Sequence, residues 1–153
     1  TYALLKRLRH ANALSLLADR VRGGLPYIGT SAGTNIAGPN ILATNDWNVV
    51  GCNQFDAMGL VPWAINPHYM QQDPNMAPGS ETRDQRIGEY IAVNRAPLLA
   101  IEEQTAVRVE DGHARVVGTG RVRLFQPDAE PVWFSAGQML PDVAPSHRFP
   151  MVS

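Results

Sequence analysis

The sequence predicts an α/β protein with a largely parallel sheet, followed by an antiparallel hairpin region toward the C-terminus. Three observations carry this. From the N-terminus to about residue 101, amphipathic stretches alternate with short apolar runs bounded by glycine or proline, in the order α-β-α-β-α-β. Beyond that point the pattern switches to period two around an Asp-Gly turn. The length of 153 residues, with 44% hydrophobic and 18% charged side chains, suits a single domain over 1–153 with one core.

Tyr2 to Val21 sets Leu4, Leu5, Leu8, Ala11, Leu14 and Leu17 at helical spacing, with Lys6, Arg7, Arg9 and Arg20 mostly off that stripe. This predicts one amphipathic helix with a solvated basic face, ended by Gly23-Gly24. Leu25-Pro26-Tyr27-Ile28 reads as a buried strand. Gly29-Thr30-Ser31-Ala32-Gly33 then turns into a short helix that Gly38-Pro39 must stop. Asn40 to Asn53 is loop, and Leu60 to Ile65 is a second buried strand running into Asn66-Pro67-His68. Ser80 or Thr82 caps a helix reaching about Val93, and Pro97 to Ile101 is the third apolar strand. Ala106–Glu110 and His113–Val117 flank Asp111-Gly112 as a hairpin, Arg121–Phe125 and Val132–Phe134 add two strands, and Pro141 to Ser153 is an irregular surface tail.

Composition narrows the function classes. Thirteen basic and 14 acidic side chains leave a net charge of −1, which argues against a nucleic-acid partner. No apolar run approaches the ~18 residues of a membrane span, and a single cysteine, Cys52, rules out an internal disulfide and fits a reducing, cytoplasmic setting. Neither an H-E-x-x-H pattern nor a His/Asp cluster suggests a metal, and no cofactor is expected.

Gly29-Thr30-Ser31-Ala32-Gly33 fits G-x-S-x-G in the context that pattern needs, an apolar run before it and a helix start after it. A serine on such a tight turn is pushed outward under backbone strain, so its close neighbours must be small. The Ala32 N–H, left unpaired at the helix start, is a candidate oxyanion donor, typically worth about 3 kcal/mol in the transition state. A serine hydroxyl needs a base, usually histidine. His10, His113 and His147 read as surface residues, whereas His68 follows an apolar strand, where open α/β sheets place their ligands. Two acids compete to orient it: Asp46, and Glu103 beyond the third strand. Arg83 and Arg86, near a helix start, have the planar fork that suits carboxylate recognition, although surface helix charges are the commoner role.

Taken together, Gly29-Thr30-Ser31-Ala32-Gly33-Thr34-Asn35, Thr44-Asn45-Asp46, Ile65-Asn66-Pro67-His68-Tyr69 and Glu81-Thr82-Arg83-Asp84-Gln85-Arg86 resemble the peptidase E family, the α-aspartyl dipeptidases, in wording, order and spacing. Thr1 to Leu8 is similar to the helix start after that family's Gly-rich turn, and His147-Arg148-Phe149 to its C-terminal end. The resemblance implies a flavodoxin-like three-layer αβα sandwich related to class I glutamine amidotransferases. It also implies serine-peptidase cleavage of dipeptides with an N-terminal aspartate through an acyl-enzyme. By position, Ser31 is similar to the family's nucleophile and His68 to its general base. Asp46 matches the aspartate assigned to the charge relay and is preferred here; Glu103 falls where a glutamate has also been proposed and stays open. Arg83 matches an arginine suggested to bind the substrate's aspartyl carboxylate. The resemblance further implies βα units upstream of Thr1, absent from this sequence. Two rival readings are a cyanophycinase-like peptidase acting on a β-linked aspartyl-arginine polymer and an inactive fragment of the same fold. The partner implied is a small peptide, with a homodimer left open.

Overall fold

The computed structural model describes residues 1–142; His147 and most of the predicted tail lie outside them. It is a mixed α/β protein whose four-stranded sheet separates helix from hairpin. The elements are α1 (Tyr2–His10), α2 (Ala13–Arg22), α3 (Ala32–Ala37), β1 (Ala64–Pro67), α4 (Arg83–Asn94), β2 (Leu98–Ile101), β3 (Thr105–Glu110), β4 (His113–Gly118), β5 (Arg121–Phe125) and β6 (Val132–Ser135). The sheet runs β1-β2-β5-β6, with β1 and β2 parallel and the remaining pairs antiparallel, while β3 and β4 form a separate two-stranded sheet. Among the described residues no helix is long and apolar enough to cross a membrane.

Side-chain alternation explains how the sheet is covered. In β1 and β2, Ala64, Leu98 and Ala100 face one side, where Ile87 and Tyr90 of α4 pack with Tyr69 and Phe125. Ile65, Leu99 and Ile101 face the other, against Ala114 and Val116 of the hairpin, with Val122 and Leu124 of β5. Both strands are therefore buried on both faces, which is why β2 reads as an unbroken apolar run, while β1 buries the polar Asn66 among apolar neighbours. A third cluster, with Leu5, Ala18, Ile36, Ile41, Cys52 and Met58 at its centre, joins α1, α2 and α3 to the loop after α3. Lys6, Arg9 and Arg22 tie that loop down by donating to the carbonyls of Val50, Asp56 and Met58 at 2.6, 2.6 and 2.7 Å.

Three sequence expectations need correction. The single helix over Tyr2–Val21 is two helices, because Asn12 adopts the left-handed conformation at φ 51°, which asparagine tolerates better than most residues. The strand expected over Leu25–Ile28 does not form: Pro26 lacks an N–H, the segment pairs with no strand among the described residues, and Leu25 and Ile28 are 52% and 92% exposed. The strand expected over Leu60–Ile65 is displaced to Ala64–Pro67. Leu60 and Val61 are held instead by the C-terminus of α3, both donating to the Ala37 carbonyl, and Pro62 cannot donate to a ladder.

The other elements fall close to expectation. Thr82 caps α4 in a full capping box, its hydroxyl accepting from Gln85 N–H at 3.1 Å while the Gln85 side chain accepts from Thr82 N–H at 2.7 Å. Asp111 and Gly112 both have positive φ, 50° and 77°, as a type I′ hairpin turn requires.

Candidate functional site

The turn at Gly29–Gly33 is held in a strained form by its own backbone. Ser31 sits at φ 50°, ψ −113°, a conformation that costs a non-glycine residue on the order of 1–3 kcal/mol. Packing sustains it. Gly29 lies so close to the start of α3 that a Cβ there would meet the Gly33 carbonyl oxygen at 2.6 Å, and the Thr34 hydroxyl donates to the Gly29 carbonyl at 2.9 Å. Tyr27 closes the turn from outside by donating its hydroxyl to the Gly33 carbonyl at 2.6 Å. Ser31 is thereby left exposed, and its hydroxyl makes no hydrogen bond among the described residues. Ala32 opens α3, so its N–H has no carbonyl partner within the helix.

His68 is placed by the parallel strand pair. Pro67 of β1 stands opposite Ile101 of β2, so the residues that follow each strand emerge side by side. His68 takes a left-handed backbone at φ 55°, and Tyr69, directly after it, donates its N–H to the Ile101 carbonyl at 2.9 Å. The Nδ1 of His68 meets Oε1 of Glu103, both side chains being half-exposed or more (51% and 67%). Ser31, His68 and Glu103 line one open cleft of about 940 Å³, together with Gly29, Thr30 and Thr34 from the elbow and Thr105, Val107 and Val109 from the hairpin side.

Asp46 makes no hydrogen bond to His68 among the described residues, its carboxylate lying beside Thr1. Its loop nevertheless touches the histidine strand: the Asn45 side chain donates to the Pro67 carbonyl at 3.1 Å, and the buried Asn66 side chain donates to the Ala43 carbonyl at 2.7 Å and to Asn45 Oδ1 at 2.9 Å. The words Thr44-Asn45-Asp46 and Asn66-Pro67-His68 are thus one hydrogen-bonded unit.

Arg83, the first residue of α4, does not line the cleft. Its Nη1 is buried with no hydrogen-bond partner among the described residues, and burial and the neighbouring Arg86 depress its pKa from the usual arginine value. A second cluster lies close by, around the residue that follows Arg83. Arg123 of β5 donates to Asp84 and to the Tyr69 hydroxyl, and burial together with the bond to Asp84 pushes the Tyr69 pKa up to about 12. Arg123 stands in a strand read only for its alternation, and nothing in that pattern says what its side chain reaches. His10 and His113 are exposed and do not line the cleft. Among the described residues no group of His, Cys, Asp and Glu gathers as a metal site.

Chemically, the cleft offers a strained, exposed hydroxyl, an imidazole whose Nδ1 is taken by a carboxylate so that Nε2 is free, and an unpaired backbone N–H at the elbow. These are the parts of acyl transfer by a serine nucleophile. Residues 1–117 match the sequence profile of Peptidase family S51. The chain is 38% identical over 143 residues to the peptidase E of Streptomyces coelicolor, covering 94% of this chain and 59% of that protein. Against a probable alpha-aspartyl dipeptidase of Drosophila melanogaster it is 40% identical over 129 residues, 84% of this chain and 54% of the relative. Against the peptidase E of Salmonella arizonae the figures are 41% over 140 residues, 90% and 60%. The chain therefore spans somewhat over half the length of these relatives.

Proposed function

The chain belongs to peptidase family S51, and on that premise we propose that it carries the nucleophile, base and acid of a serine dipeptidase that releases an N-terminal aspartate from Asp-Xaa peptides. The observation that carries this reading is the strained Ser31 elbow opening into the same cleft as the His68–Glu103 pair. The finer fold reading, a flavodoxin-like three-layer sandwich, draws support from the parallel β1–β2 pair and from site residues at the carboxyl ends of both strands.

In the proposed reaction, Ser31 Oγ attacks the carbonyl carbon of the aspartyl residue and its proton passes to His68 Nε2. The tetrahedral oxyanion faces the Ala32 N–H. Collapse breaks the C–N bond, His68 returns the proton to the leaving amine, and water, activated by the same imidazole, releases aspartate from the acyl-enzyme. Glu103 is assigned the orienting acid, because its carboxylate meets Nδ1 and thereby selects the tautomer that leaves Nε2 to accept. Arg83 is assigned to the side-chain carboxylate of the substrate on the family resemblance: its buried nitrogen with no hydrogen-bond partner suits an anion, while the residue itself stands outside the lining of the cleft around Ser31. A dipeptide lacking that carboxylate leaves the guanidinium uncompensated, an effect that discriminates by orders of magnitude.

The test is hydrolysis of Asp-Leu and Leu-Leu by the purified chain, followed by leucine release. Cleavage of Asp-Leu, sparing of Leu-Leu and inactivity of Ser31→Ala are expected. Equal rates on the two peptides would refute the specificity, and an active Ser31→Ala would refute the nucleophile.

A further inference from the structure

Strand β5 contributes nothing to the cleft, yet one of its faces reaches the immediate sequence neighbours of three candidate residues. Arg121 and Arg123, two positions apart, share a face. Both guanidinium groups lie over the Trp133 ring of β6, with Cζ 4.0 and 5.2 Å from its centroid. Arg121 grips Glu102: Nη2 donates to Oε1 at 2.9 Å, while Nε and the backbone N–H donate to Oε2 at 3.3 and 2.9 Å. Glu102 immediately precedes Glu103. Arg123 Nη1 donates to Asp84 Oδ2 at 2.8 Å and to the Tyr69 hydroxyl at 3.0 Å, and that hydroxyl donates to the other oxygen of Asp84. Asp84 follows Arg83, and Tyr69 follows His68. These arginines lie beyond residue 117, where the match to the family profile ends.

Energetics favour a geometric role for the clamp. The Arg123 side chain is only 13% exposed, and for a buried ion pair desolvation offsets much of the Coulombic gain, so the pair is a weak source of net stability. What the guanidinium supplies instead is one nitrogen, Nη1, that bridges the Asp84 carboxylate and the Tyr69 hydroxyl and so fixes their separation. His68 needs such support: its left-handed backbone is disfavoured by roughly 1–2 kcal/mol for a residue with a Cβ. The residue that follows it is fixed at both ends, through its N–H on β2 and its hydroxyl on Asp84 and Arg123.

We propose that Arg121 and Arg123 are positioning residues: Arg123 holds the His68 loop and the Arg83 turn of α4 at one separation, and Arg121 holds Glu103 against His68. The proposal rests on the reading of His68, Glu103 and Arg83 as the site. Its test uses the full chain labelled with ¹³C-histidine, the His68 ring resonances being assigned with His68→Gln, alongside the rate at which a fluorophosphonate modifies Ser31. Arg123→Met keeps an apolar stem on Trp133 and removes the fork; it should displace or broaden the His68 resonances and slow modification about tenfold or more, a loss of the size that small misplacement produces. Arg123→Lys should recover part of both, and Arg121→Met should slow modification by a similar factor. Arg95→Met, which breaks the exposed pair with Asp128, should change neither readout. If Arg123→Met does not fold, Asp84→Asn gives the same readout from the other end of the clamp. Unchanged His68 resonances in a folded Arg123→Met or Asp84→Asn overturn the proposal. If the resonances respond while wild-type Ser31 is never modified, the positioning stands and the functional reading falls.

Discussion

Two glycines of the elbow, four residues apart, make opposite predictions. At Gly29 an added Cβ would stand 2.6 Å from the Gly33 carbonyl oxygen, 2.7 Å from its carbon and 2.9 Å from the Thr34 nitrogen, all backbone atoms that cannot rotate aside. At Gly33 the nearest contact is the Tyr27 hydroxyl at 3.5 Å, an ordinary van der Waals distance. Gly29→Ala must therefore push the start of α3 away from the turn, at a cost near the upper end of overpacking, about 3 kcal/mol. For a chain of this size that lowers Tm by about 6–12 °C. Gly33→Ala meets no obstruction and, being inside a helix, is neutral or stabilising by up to ~1 kcal/mol. The two should also diverge in reactivity. Moving the elbow by about an ångström misaligns Ser31 with His68, which costs on the order of 100-fold in rate, whereas Gly33→Ala leaves the nucleophile in place. Thermal denaturation followed by circular dichroism, together with fluorophosphonate labelling below Tm, measures both effects. A Gly29→Ala protein as stable and as reactive as Gly33→Ala would refute the reasoning that close backbone approach sustains the elbow.

Three further outcomes follow from the geometry. Glu103→Gln should slow Ser31 labelling by about 10–10⁴-fold, as loss of an orienting acid does, while Asp46→Asn should slow it less than threefold; the reverse order would return the relay to Asp46. The Tyr69 pKa is raised to about 12 by burial and by its bond to Asp84, whereas in the unfolded chain the hydroxyl ionises near 10. Its contribution is therefore complete below pH 10 and is lost as pH rises toward 12, up to about 2–3 kcal/mol. Urea midpoints at pH 9 and 11 should differ more for wild type than for Tyr69→Phe, and equal slopes would contradict the assignment. Thr82→Ala removes the hydroxyl half of the capping box and should cost about 1 kcal/mol in urea denaturation; a variant as stable as wild type would show that α4 does not depend on its cap.

What the sequence discloses about this chain depends on whether the physics is local. The α4 cap, the Asp111-Gly112 turn and the buried strand β2 rest on signals carried within a few residues, and all three are readable. Leu25–Ile28 shows the limit. An apolar run signals a tendency to be buried, but strand formation needs a neighbour to pair with, and pairing is not written in the run itself. The elbow is legible because its steric demand falls on adjacent small residues. The acid facing His68 is not legible from spacing alone, since His68 and Glu103 meet only because β1 and β2 are parallel with Pro67 opposite Ile101. Knowing that register, the residues just past the two strand ends are the ones to compare. Arg121 and Arg123 lie further from view, because an alternating strand shows which residues share a face and not which distant carboxylates they reach.

The proposed acyl transfer requires Ser31 and His68 to act together. Reaction of the wild-type chain with diisopropyl fluorophosphate, in which Ser31 Oγ bonds to phosphorus as fluoride leaves and the proton passes to His68, followed by peptide mass mapping, tests this most directly. A single modification at Ser31, slowed at least 100-fold in His68→Gln, is the predicted result. Modification at another residue, or labelling of Ser31 at an equal rate without His68, would contradict it.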